Sequence, residues 1–128
     1  MSITIVNKIT AVLLVDRIEP VLPFWEKLGY RKTVEVPTDQ GLGFAILTSG
    51  NTEVMYQTRS SLAADMPGVA EAVLATSLFV EVSDLAAVES ALADEPVFLA
   101  RRETFYGSTE IGFREPGGHF VTFAQFNR

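Results

Sequence analysis

The chain has 128 residues, the length of one domain; it is 48% apolar and 20% charged, and nine Phe, three Tyr and one Trp are enough to fill one core. Sixteen acidic against ten basic residues leave no basic footprint for nucleic acid and would repel an anionic membrane surface. With no cysteine, disulfides, thiolate catalysis, zinc fingers and iron–sulfur clusters are excluded, and with His119 the one histidine, so is a site of several imidazoles within one chain.

The opening Met1-Ser2-Ile3-Thr4 has no basic segment leading into an apolar stretch, and no apolar run approaches the roughly 20 residues of a membrane span. A cytoplasmic protein is expected. Lys8–Val15 is rich in β-branched and aliphatic residues and reads as a strand. A helix over Pro20–Leu28 follows, with Val21, Phe24, Trp25 and Leu28 on one face, Pro20 at its start and Gly29 at its end. Three strands come next, Tyr30–Val36, Gly43–Leu47 and Glu53–Thr58, separated by turns rich in Pro, Gly, Asp and Asn. Residues 59–75, broken by Pro67-Gly68, form a partly helical linker. The order then recurs. Ser77–Val82 is a strand, Asp84 caps a helix through Leu92, and Val97–Thr104, Ser108–Arg114 and Phe120–Phe126 are three more strands. Arg101, Arg102 and Glu103 read as a solvated strand face. Glu115-Pro116-Gly117-Gly118 reads as a type II turn, with His119 an exposed residue just after it.

Each half therefore reads βαβββ. Val12, Val15 and Arg17 lie 67 positions before Phe79, Val82 and Asp84, and Gly50 with Gln57 lies 68 before Gly118 with Gln125. The expected architecture is α+β: one domain over residues 1–128, made of tandem βαβββ units at about 3–58 and 76–128. Their mixed sheets curl into a cup with the helices outside.

Two stretches carry a resemblance. Val15-Asp16-Arg17 leads through Phe24-Trp25 to Leu28-Gly29-Tyr30, and Phe105-Tyr106-Gly107 leads through Glu110 to Glu115-Pro116-Gly117-Gly118-His119-Phe120. Over nearly its whole length the chain resembles the vicinal oxygen chelate superfamily of glyoxalases, extradiol dioxygenases and bleomycin-resistance proteins. Glu115 stands where that pattern usually has Asp. The resemblance implies a metal centre in the cup, with one ligand from the first and one from the last strand of each unit. These positions fall on Thr10, Ser77 and Thr122, and on a residue within Thr52–Met55 whose register is open and decides whether Glu53 occupies it. Hydroxyls are poor ligands for zinc, nickel or iron, so no metal and no cofactor is expected.

Alternation along strands sets the expected cup lining. Thr10, Val12 and Leu14 share a face; Phe44, Ile46 and Tyr56 continue it; Ser77, Phe79 and Glu81, then Thr122 and Ala124, belong to the second unit. Phe105 and Tyr106 form a rim, and Glu53, Glu81 and Glu110 supply negative charge. Such a cup suits an apolar or cationic organic molecule. Two readings follow. One is a metal-free protein that sequesters a small molecule, working as a homodimer as the resemblance implies, with no nucleic acid or membrane partner. The other is a lyase, isomerase or dioxygenase with an atypical metal site or a carboxylate base, Glu53 being the candidate.

Overall fold

The computed structural model describes residues 5–127; Met1–Thr4 and Arg128, including the expected start of the first unit at residue 3, lie outside the described residues. The first unit runs β1 (Val12–Val15), a 3-10 turn (Glu19–Val21), α1 (Leu22–Glu26), β2 (Arg31–Thr38), β3 (Gly41–Ser49) and β4 (Thr52–Thr58). The linker holds α2 (Arg59–Asp65) and α3 (Val69–Ala72). The second unit follows as β5 (Ser77–Glu81), α4 (Leu85–Ala91), β6 (Val97–Glu103), β7 (Ser108–Arg114) and β8 (Phe120–Phe126).

The two sheets repeat one topology, β1-β4-β3-β2 and β5-β8-β7-β6. In each, the first strand pairs parallel with the last, and Val12 opposite Met55 matches Phe79 opposite Thr122 at the spacing of 67. The register that the sequence left open is thereby fixed: the counterpart of Thr122 is Met55, and Glu53 lies two residues away.

Local differences have local causes. β1 begins at Val12, four residues later than expected; its partner β4 begins at Thr52, so by the register of the pair the chain before Ile9 has no residue of β4 opposite it. The first helix splits in two. Its 3-10 turn has a proline in the first turn and so does α1, where the missing donors cost nothing. In the second unit Asp84 accepts from the Ala87 N–H at 3.1 Å, the expected cap.

One core serves both units. Leu13, Val15, Leu47, Val54 and Tyr56 of the first sheet, Phe24 and Trp25 of α1, Leu85 and Val88 of α4, and Ile111, Phe113, Val121 and Phe123 of the second sheet form a single buried cluster. Both sheets therefore pack through their helix-bearing faces, and the opposite face of each turns outward. Tyr56 belongs to the core face, so it does not line the cup.

A buried polar brace crosses this core. The Trp25 indole N–H donates to the Tyr56 hydroxyl at 2.8 Å, and that hydroxyl donates to Glu115 Oε2 at 2.6 Å. The His119 N–H donates to Glu115 Oε1 at 2.8 Å. The His119 ring accepts at Nδ1 from the Thr76 N–H, 2.8 Å, so Nε2 carries the proton and donates to the Leu14 carbonyl, 2.7 Å. His119 is thus a strut between the units, 2% exposed, and not the exposed turn residue its position suggested. The turn also differs from type II. Positive φ falls on Gly118 (+96°) and not on Gly117, the pattern of a type I turn followed by a left-handed residue. Gly117 is needed for space, since a Cβ there would lie 2.5 Å from Val15 Cγ1.

Tyr56→Phe leaves the Trp25 donor and one Glu115 oxygen unpaired in the core. Urea unfolding of this variant is expected to show a loss of about 2 kcal/mol at unchanged slope.

Candidate functional site

The outward faces of the two sheets differ. On the first, Val12, Met55 and Ile46 align across three strands, with Phe44 opposite Gln57 and with Val34 and Val36 beside them on β2. The linker helices roof one end of this face, where Leu14, Leu62 and Ala70 make a small second core with Val73. An apolar groove of about 220 Å³ lies between Val12, Leu14 and Gln57 below and Leu62, Met66, Val69 and Val73 above. Thr58 accepts from the Ser61 N–H and caps α2, while Arg59 donates to the carbonyls of Ala70 and Val73 at 3.0 and 3.1 Å and pins α3.

The second face is open and aromatic. Ser77, Phe79 and Glu81 point outward on β5, with Phe79 opposite Thr122 and Glu81 opposite Ala124. Phe98 lies where Gly112 has no side chain: a Cβ there would meet its ring at 2.6 Å. The Phe98 ring stands edge-on to Phe120 at 5.0 Å, and the Arg114 guanidinium lies 4.8 Å over Phe120. A second string of rings runs from Phe105 through Tyr106 and Phe126 to Phe79, at centroid distances of 5.2, 6.3 and 6.3 Å. Phe79 is 55% exposed, and Phe105, at the tip of the β6–β7 turn, is wholly exposed.

Glu110 sits beneath this surface, 1% exposed. It accepts from Ser108 Oγ at 2.9 Å, from the Tyr106 hydroxyl, and from Arg102 Nη2 and Nε at 3.1 and 3.3 Å. Burial pushes its pKa up, but the bonds from Tyr106, Ser108 and Arg102 outweigh that and hold it below the usual carboxylate range. Its charge is committed inside the protein, and Arg102, read from sequence as solvated, is the partner. The cations on this face are Arg102 and Arg114.

Glu53 is held differently. Lys8 Nζ and Thr10 Oγ1 both reach its Oε2 at 3.0 Å, and these two bonds lower its pKa. A base poised near neutrality needs the opposite shift. With the register fixed, the four positions where the resemblance implies metal ligands hold Thr10, Met55, Ser77 and Thr122, a set that does not fit zinc, nickel or iron(II). Among the described residues, no three His, Asp or Glu side chains come together as a metal site.

Three predicted residues meet at a cleft between the units. Glu53, Phe79 and Glu81 line a cavity of about 280 Å³ with Trp25, Tyr30, Thr52 and Val80, and a smaller one of about 200 Å³ continues from it along Trp25, Tyr30 and Glu81. The Tyr30 ring stands edge-on to Trp25 at 5.1 Å, and its hydroxyl is 2.8 Å from Thr52 Oγ1. Sequence reasoning missed Tyr30, Lys8 and the linker side chains; only the Leu28-Gly29-Tyr30 ending of the first helix hinted at Tyr30.

The sequence matches no family model and no curated protein. Solved structures do match in fold. A glyoxalase/bleomycin resistance protein/dioxygenase from Nocardioides superposes with a TM-score of 0.72 at 16% identity, covering 98% of this chain and 86% of its own. A lactoylglutathione lyase from Agrobacterium tumefaciens gives 0.74 at 17% identity, over 95% and 96% of the two chains. A bleomycin-binding protein complexed with bleomycin gives 0.67 at 17% identity, over 95% and 100%. The chain has the vicinal oxygen chelate fold that these proteins share.

Because the folded-state pKa of Glu110 is lowered, its contribution to stability is present above the ordinary carboxylate value of 4.5 and fades as pH falls through the folded value. Glu110→Gln is expected to cost about 2 kcal/mol at pH 7. Its melting temperature should converge on that of the parent below pH 4.5, and parallel acid limbs would contradict this.

Proposed function

We propose that the chain is a cytoplasmic binding protein that sequesters an aromatic or apolar organic molecule on its outward sheet faces, without a metal or other cofactor, and that it works as a homodimer. The observation that carries this reading is the second sheet's aromatic surface. Phe79, Phe98, Phe120, Phe126 and Tyr106 border it, and its one buried carboxylate is already bonded to Arg102, Ser108 and Tyr106. Ring surfaces of this kind stack on flat organic ligands. Chemistry is less well served: Glu53 and Glu110 both have lowered pKa values, and the implied ligand positions carry two threonines, a serine and a methionine.

Each sheet in one chain is open to solvent on its outward side. Val12, Val34, Val36, Phe79 and Phe98 are all more than two-fifths exposed. A two-fold partner that set the first sheet of one subunit against the second sheet of the other would cover these residues and turn two open faces into closed grooves. One fold relative is a bleomycin-binding protein complexed with bleomycin, which supports a small organic ligand for such grooves. Among the described residues no helix is long and apolar enough to cross a membrane, and the excess of six negative charges argues against a nucleic-acid partner.

Calorimetric titration with metal-free bleomycin and with planar aromatic dyes is expected to give one saturable site per subunit without turnover. Phe79→Ala should weaken it at least tenfold, and light scattering should report a dimer. A stoichiometric metal in the purified protein, together with saturable stabilisation by nickel, zinc, manganese or iron, would overturn the reading.

A further inference from the structure

The cleft between the units has a character of its own. Its floor is the indole of Trp25, 2% exposed; its walls are the rings of Tyr30 and Phe79; and two carboxylates, Glu53 and Glu81, line it. It shares Phe79 and Glu81 with the second sheet's outward face but draws Trp25, Tyr30 and Glu53 from the first unit. Aromatic rings beside carboxylates favour an organic cation over a neutral or anionic ligand.

A cation already holds one of these carboxylates from outside the cleft. Lys8 places its ammonium 3.0 Å from Glu53 Oε2, the oxygen that Thr10 also engages. Lys8 comes from a segment with no regular secondary structure, in which Ile5, Val6 and Ile9 are 86, 61 and 90% exposed. Its own side chain is 61% exposed. An ion pair so exposed contributes little. A tethered ammonium is nevertheless present at high local concentration, and a free ligand must displace it.

We infer that the inter-unit cleft is a binding site for a small aromatic ammonium, and that Lys8 acts there as a built-in competitor for the Glu53 carboxylate. The ligand's ring lies between Tyr30 and Phe79, with Trp25 behind Tyr30, and its cation replaces the Lys8 ammonium. The site shares Phe79 with the proposed sheet-face surface, but Lys8 and Glu53 belong to the cleft side alone, so variants at those two positions separate the two sites.

The chain carries its own reporter, because Trp25 is the one tryptophan. Its emission is followed in the full-length protein during titration with benzylammonium, with benzyl alcohol as the neutral counterpart. Benzylammonium is expected to saturate the signal and benzyl alcohol to bind at least tenfold more weakly. Lys8→Met is expected to tighten benzylammonium about threefold, and Glu53→Gln, which keeps the acceptor for Thr10, to weaken it at least tenfold. Equal response to the two probes would overturn the inference, as would an affinity that Lys8→Met lowers or leaves unchanged. Bleomycin titrated into the same two variants reads the sheet faces separately, so a failure of one site is not mistaken for a failure of the other.

Discussion

The hydrogen bond from the Tyr56 hydroxyl to Glu115 fixes how the two halves of the molecule meet. A carboxylate 2% exposed in an apolar core is costly unless its oxygens are satisfied, and here one is satisfied by Tyr56 from the first unit and the other by the His119 N–H from its own turn. Burial, together with the neighbouring Glu115 charge, pushes the Tyr56 hydroxyl well above the ordinary phenol range, so it stays a proton donor. Other relative positions of the sheets would leave the Trp25 indole, the Tyr56 hydroxyl or the Glu115 carboxylate without its partner. A unique placement follows from that penalty, where greasy surfaces alone would tolerate sliding.

Once the helix-bearing faces are joined this way, the outward faces are what remains for function, and duplication has not kept them alike. The linker helices lie over the first and give it an apolar roof. The second has no such cover and carries Phe, Tyr and Arg side chains instead. The same topology therefore presents a shielded aliphatic groove on one side and an open aromatic surface on the other. The cleft between them gathers acidic and aromatic groups from both. Three environments of different chemistry come from one repeated unit.

Most strands were legible because their apolar residues alternate or cluster between Gly, Pro and Asn turns; β7 and β8 fall where the sequence put them. The repeat was legible because Val12 and Phe79, with their neighbours, keep a constant spacing. The face of Tyr56 was not. Val54, Met55 and Tyr56 are all apolar, so alternation gives no parity, and only the Trp25 and Glu115 partners, 31 and 59 residues away, decide it. His119 was misread for a similar reason: a polar residue next to Pro-Gly-Gly looks solvated, and its partners at Leu14 and Thr76 are 105 and 43 residues distant. The commitment of Glu110 depends on Arg102, which is as exposed as Arg101 beside it, so a solvated position gave no sign of the carboxylate that each of them reaches.

Both ring contacts of His119 are to main-chain atoms, the Leu14 carbonyl and the Thr76 amide. Any residue at position 14, and any residue except proline at position 76, offers the same group. The joint itself therefore asks nothing of the side chain at either position, and Leu14 is constrained instead by its packing against Leu62 and Ala70. Correlated substitutions, the usual trace of a long-range contact, would not mark it. A chain can in this way lock its two halves together through one imidazole without dictating the side chain of either partner.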